Sequence, residues 1–213
     1  MKREIFQGEY YHVLNRGNNK QLIFNDERDR IRLLFLILYH QSPQTFYNIT
    51  RQINYYVRHR MFNISEEMIN RILEERYVEL VGFTLMPNHF HLILRELRTG
   101  GISRYMQRIS NSHTKYSNTK NKTSGHLFQG SFKIVHIKDD NQLLYLSAYV
   151  HRNIREVEGW KNKEYLYPWS SYQDFIKENR WGEILKPNII LEQFSDKDKY
   201  KSFVSESGAK EKC

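Results

Sequence analysis

The chain has 213 residues, 39% hydrophobic and 27% charged, which suits one globular domain with a real hydrophobic core. Its single cysteine, Cys213, excludes an intrachain disulfide and thiolate metal ligation; with no apolar run for a signal peptide and no apolar block beyond "LLFLIL" at 33–38, neither export nor a membrane span is expected, and a cytoplasmic setting is. The formal charge of +9 draws such a protein to polyanions, of which nucleic acid is the commonest.

In chain order, "EYYHVLNRGNN" alternates as a strand from about Glu9 to Asn15, and Gly17, Asn18 and Asn19 then supply a turn. Asn25 or Asp26 caps a helix whose apolar residues Ile31, Leu34, Phe35 and Leu38 fall at three- and four-residue spacing. Residues 42–77 read as a helical insertion. One helix is expected around 49–60, and another follows a capping box at Asn63 and Glu66 with the stripe Ile64, Met68, Ile72 and Leu73. "YVELVGFTLMPNHFHLILRE" predicts a β-hairpin at the centre of a sheet, turning at Pro87-Asn88. After the break at Gly100-Gly101, Ile102, Tyr105, Met106, Ile109 and His113 mark one face of a helix to about Asn118. "SGHLFQG" is a glycine-bounded loop, "SFKIVHIK" a strand, and Asp139 or Asp140 caps the helix "NQLLYLSAYVHRNIREV". This order predicts an α+β fold, an antiparallel sheet with helices packed on one face. One domain is expected over 1–194, with the insertion at about 42–77, and a polar, loosely ordered tail over 195–213.

The hairpin also carries the chemistry. Side chains at i and i+2 of a strand share a face, so His89 and His91 project together while Phe90 points the other way. Two neutral imidazoles suit a divalent metal, although a His-x-His pair near a turn is more often simply solvated. No His-Glu-x-x-His helix and no Walker-type glycine loop accompany the pair. In the later helix, Tyr149 and Asn153 are four apart and share one face. A carboxamide oxygen from Asn153 and the phenol of Tyr149 would complement a metal on the histidines. Tyrosine beside a divalent cation points to nucleophilic attack on phosphorus, since a phenol of pKa about 10 both attacks and leaves. With 15 tyrosines in the chain, proximity alone carries little. Tyr116 is the rival nucleophile, but its i+4 neighbour is the cation Lys120.

The blocks "MPNHFHLIL", "SGHLFQGSFK", "YLSAYVHRN" and "YPWSSY", in that order, resemble the signature blocks of REP-associated tyrosine transposases. These are single-tyrosine HUH enzymes related to the small transposases of single-stranded insertion sequences. With "YYHVLNRGNN" near the start, the resemblance covers most of the chain outside the insertion and tail. It implies a ferredoxin-like sheet with the histidine pair on a central strand and the nucleophile on a following helix. It also implies cleavage of single-stranded DNA at hairpin-bearing repeats, leaving a 5′-phosphotyrosine and a free 3′-hydroxyl. His89 and His91 match the metal ligands, Tyr149 the nucleophile, and Asn153 the residue that completes a Mg²⁺ or Mn²⁺ site. Relatives act as monomers or homodimers. The chain departs from the pattern at Ile154, where relatives carry proline, and at Arg152, where they carry an apolar residue. Ser131 and His113 stand where a basic residue and a tyrosine are common.

Residues 101–138 contain seven Lys or Arg and no acid, an imbalance that phosphate binding requires. Arg104, Arg108, Lys115, Lys120 and Lys133 are the candidate phosphate contacts, His126 and Gln129 are candidates in the glycine-bounded loop, and Arg16 and Asn18 follow the first strand. Two rivals to the DNA strand transferase differ in class: a non-catalytic hairpin-binding protein that retains the fold, and an unrelated hydrolase using the histidines and a water.

Overall fold

A computed structural model describes residues 4–208. Strands β1 (Tyr10–Arg16), β2 (Val78–Met86), β3 (His89–Glu96) and β4 (Lys133–Ile137) form one antiparallel sheet in the order β2-β3-β1-β4. Met86 pairs with His89, so Pro87 and Asn88 alone make the hairpin turn. β3 is central, but β2 ends the ladder, where the whole hairpin was expected at the centre. The outer edge of β2 is not bare. Its Phe83 carbonyl accepts from the Ser171 amide at 2.9 Å, its Leu85 amide donates to the Trp169 carbonyl at 2.9 Å, and its Leu80 carbonyl accepts from the Lys186 amide at 2.8 Å. The "YPWSSY" block thus seals a strand edge that would otherwise invite another chain.

Helices α1 (Glu27–Tyr39) and α4 (Gly101–Asn121) cover the sheet face that carries Phe90, Leu92 and Leu94. α1 is apolar on every side from Leu33 to Leu38 and correspondingly buried all round. α4 buries Ile102, Tyr105, Met106, Ile109 and His113, the expected stripe, and runs three residues beyond Asn118. Its start depends on Gly101, because a Cβ there would lie 2.2 Å from the Tyr77 carbonyl oxygen. Glu96, fully buried, accepts from the first-turn amides of Gly101 (3.0 Å) and Ile102 (2.7 Å) and caps the helix.

Helices α2 (Ile49–His59) and α3 (Glu66–Glu75) occupy the region read as an insertion. Ser65, not Asn63, caps α3, accepting from the Met68 amide; Asn63 is held instead by two hydrogen bonds with the Gln52 carboxamide. Helices also cover the second sheet face, beyond the single face expected. α5 (Asp140–Arg152), capped by Asp139, lies there with α6 (Tyr172–Ile176), α7 (Asn188–Leu191) and α8 (Lys197–Glu206) around Val81 and Ile93. A sheet covered on both faces explains why β2 and β3 read as nearly continuous apolar runs.

The segment from 195, expected as a loose tail, is ordered through 206. Asp196 caps α8, and Tyr200 and Val204, one turn apart, are buried against α5. The Tyr200 hydroxyl meets Ser147 at 3.1 Å and His151 at 2.7 Å. Two apolar residues at i and i+4 are enough to dock a helix whose average composition is polar. The expectation for 209–213, and Cys213 itself, lies outside the described residues. No helix among the described residues is long and apolar enough to cross a membrane.

Three core histidines predict acid sensitivity. Burial lowers His151 and His40 to about 3 and His113 to about 4 from the usual 6.5, with Arg108 and Arg32 adding to the effect at His40. Each is neutral in the fold and takes up a proton on unfolding. Stability is therefore fully present above pH 6.5 and falls between 6.5 and 4, by about 1.4 kcal/mol per pH unit per histidine. Urea unfolding at stepped pH should show the midpoint dropping across this window, and a flat profile contradicts the assignment.

Candidate active site

Strand alternation sets His89, His91 and Ile93 on the face that α5 covers. Across the β1 ladder, Arg16 pairs with His89, Leu14 with His91 and His12 with Ile93, so His12 is the diagonal neighbour of His91 on the same face. Their rings stack with centroids 5.0 Å apart, and His12 Nε2 lies 2.8 Å from His91 Nδ1. His12 was not singled out in the sequence. A polar residue in the middle of a strand whose neighbours are buried is the signal it offers, but only the β1–β3 register turns that into a contact.

α5 brings the other half. Tyr149 is half-buried, with its ring 5.5 Å from that of His91 and 6.2 Å from that of His12. Asn153 closes the helix: its backbone amide donates to the Tyr149 carbonyl, and a 3-10 turn follows over 153–156. Ile154, in place of the proline, is fully buried, so the departure fills the core rather than freeing the helix end. The Asn153 Nδ2 donates to His91 Nε2 at 2.9 Å and to the Tyr149 hydroxyl at 3.0 Å.

That carboxamide orientation fixes the protons. His91 Nε2 accepts, so its proton is on Nδ1 and is donated to His12 Nε2. His89 Nδ1 likewise donates to Asn88 Oδ1 at 2.7 Å, leaving the lone pair on Nε2. Both imidazoles of the pair therefore present Nε2 as a donor atom, each oriented from behind by a partner on Nδ1. His91 is 1% exposed. Burial, with His12, His89 and Arg16 beside it, holds it neutral well below the usual imidazole range. The C-terminal end of α5, carrying partial negative charge, favours a cation here.

Among the described residues no cluster of three or more His, Cys, Asp or Glu is arranged to hold a metal. The donor set is two imidazoles and, once its amide turns, the Asn153 oxygen. Such a set fits a six-coordinate Mg²⁺ or Mn²⁺ that leaves positions for water and phosphate oxygens.

The candidate DNA residues divide. Arg16 is exposed beside His89, and its carbonyl accepts from the Gln129 amide at 2.8 Å, which holds the glycine loop against it. The Asn18 amide bonds the Leu127 carbonyl of the same loop. Lys133 pairs with Leu14 and so shares the cross-strand row of His91, exposed at the sheet edge. Arg104 and His126 instead line a cavity of about 460 Å³ between α4 and the loop, and Lys115 is exposed on α4. Two residues are committed elsewhere. Arg108 donates to the Ser42 and Gln44 carbonyls and the Tyr77 hydroxyl, tying α4 to the 42–44 segment. Lys120 is paired with Asp26 (2.7 Å) and Asp29 (2.5 Å) at the start of α1. The partners of both are carbonyls and acids distant in sequence, out of reach of a charge count along the chain. Tyr116, the rival nucleophile, donates to Asp29 at 2.9 Å on the α1–α4 side of the sheet.

Residues 6–153 match the family model described as Transposase IS200 like. No curated protein matches the chain. Among solved structures, a REP-associated tyrosine transposase bound to a REP hairpin is similar in fold, with a TM-score of 0.56 and 15% identity, over 100% of this chain and 97% of that one.

Proposed function

The chain belongs to the IS200-like transposase family, and on that premise we propose that it is a divalent-metal-dependent endonuclease and strand transferase that cuts single-stranded DNA at hairpin-bearing repeats through Tyr149. The observation that carries this reading is the single carboxamide nitrogen of Asn153, in contact with both His91 Nε2 and the Tyr149 hydroxyl. A cation held by the histidines therefore adjoins the phenol.

His89, His91 and Asn153 would hold the metal, which when bound polarises the scissile phosphate and offsets charge on its non-bridging oxygens. The Tyr149 oxygen forms a bond to phosphorus as the bond from phosphorus to the 3′ oxygen breaks. The phenol loses one proton and the departing 3′-hydroxyl gains one, so the phosphodiester is exchanged, not hydrolysed, and can be returned to another 3′-hydroxyl without ATP. Arg16, Asn18, Gln129 and Lys133 hold the strand beside the site, and Arg104, Lys115 and His126 extend the surface on the α4 side. The α2–α3 pair is read as an insertion into the sheet-and-helix unit.

The test is incubation with a labelled hairpin oligonucleotide and Mn²⁺, resolved on a denaturing gel. A slow-migrating covalent species, absent with chelator, is expected; cleavage without any adduct overturns the tyrosine route.

His12 acts in this reading as a positioning residue. His12→Ala removes the acceptor behind His91 and should weaken Mn²⁺ binding about 10- to 100-fold by calorimetry. His12→Gln, whose side-chain carbonyl can accept the same proton, should recover part of the loss. Equal affinities in all three proteins would remove His12 from the site.

A further inference from the structure

A second cavity, of about 580 Å³, opens beside the C-terminal end of α5, bounded also by the loop at 161–165 and by α8. Its lining includes four cations, Arg152, Arg155, Lys161 and Lys201, against two acids, Glu164 and Asp198. Among the described residues none of the four cations is ion-paired, and the Lys201 ammonium instead lies 5.0 Å from the centre of the Tyr165 ring. The Nη1 of Arg152 is buried without any hydrogen-bond partner. An unpartnered buried guanidinium nitrogen beside three further cations is an arrangement that an anion relieves.

Arginines in the last turn of a helix complement its dipole, and that accounts for Arg152 and Arg155. It does not account for Lys161 in the loop or Lys201 on α8, which converge on the same space. Nor is Arg152 a residue that the family resemblance supplies, since relatives carry an apolar side chain there. It adjoins Asn153 and lies three residues from Tyr149 on the same helix. Tyr165 offers a half-exposed ring and Ser202 an exposed hydroxyl, the mixture that tracks an unpaired strand.

We propose that this cavity binds a backbone phosphate of the single-stranded flank adjoining the scissile bond. The proposal rests on Tyr149 marking where the strand is cut, and it gives the enzyme a grip on unpaired DNA outside the hairpin.

The experiment compares affinities, by fluorescence anisotropy, for hairpins with no flank and with a short or long flank on either side, using wild type, Arg152→Gln/Lys201→Gln and Lys201→Gln alone. Circular dichroism melting checks the fold of each variant. Wild type should gain about tenfold or more from a flank on one side, and the double variant should lose that gain with a salt slope shallower by about 0.7. The single variant should fall between, and flankless hairpins should bind all three equally. A flank gain that survives in the double variant, or no gain in wild type, overturns the proposal while leaving the catalytic reading intact. If no hairpin binds at all, the catalytic reading fails, and titration with inorganic pyrophosphate followed by NMR decides the cavity. Shifts at these residues would then mark a small phosphate ligand, and no shifts would mark no phosphate site; either result overturns the strand assignment.

Discussion

Tyr149→Phe should abolish the covalent DNA adduct and lower strand cleavage by at least about a thousandfold, because it deletes the proposed attacking oxygen itself. The change is otherwise mild. Phenylalanine keeps the ring that faces His91 and His12, and the half-buried hydroxyl it removes bonds the Asn153 amide. Melting temperature, Mn²⁺ affinity and hairpin affinity should therefore remain near wild type. Denaturing gels read the adduct, and anisotropy reads binding on the same preparation. Cleavage that persists without an adduct would point to a water nucleophile at the histidines. An adduct that persists would send the search to another tyrosine. Tyr116 would be a poor replacement, since its hydroxyl serves Asp29 across the sheet. Should wild type bind hairpins without cutting them, the protein is a binding module that retains the fold.

His91→Ala should be nearly as damaging to cleavage and, unlike Tyr149→Phe, should also act on metal. His91 joins three parts of the site: it accepts from Asn153, donates to His12, and shares a face with His89. Removing its imidazole should weaken Mn²⁺ binding at least about a hundredfold and cleavage about a thousandfold. It also removes one buried hydrogen bond each from His12 and Asn153, at about 1–3 kcal/mol of stability. Calorimetry with Mn²⁺ and urea unfolding separate the two effects. Hairpin binding in chelator should survive, since the proposed strand contacts Arg16, Gln129 and Lys133 do not involve the metal. An unaltered metal affinity would show that the histidine pair is structural.

Much of this arrangement is readable in the chain because it is local. The two-residue period of β3 puts His89 and His91 on one face, and the helical period puts Asn153 over Tyr149, where their side chains lie 3.0 Å apart. The hairpin turn and the α1, α4 and α5 stripes depend on the same short spacings. What was not readable depends on long-range register. His12 meets His91 only because β1 pairs antiparallel to β3 in one alignment, and nothing in "YYHVLNR" announces that alignment. The face of the sheet that receives α5 is a matter of chain crossing, so helices on one face were expected and both faces are covered. Charges mislead in the same way. Arg108 and Lys120 count as free cations in the sequence, yet the fold spends them on carbonyls of 42–44 and on Asp26 and Asp29. In α8 the reverse holds, because Tyr200 and Val204 dock a helix that its charged neighbours disguise.

The joint action of metal and phenol is tested most directly by anomalous diffraction from crystals grown with Mn²⁺. One strong peak bonded to the imidazoles of His89 and His91 and to the Asn153 side chain, with the Tyr149 hydroxyl beside it, is the predicted result. A peak elsewhere in the molecule, with the histidine pair bare in an enzyme that still cleaves DNA, would contradict it.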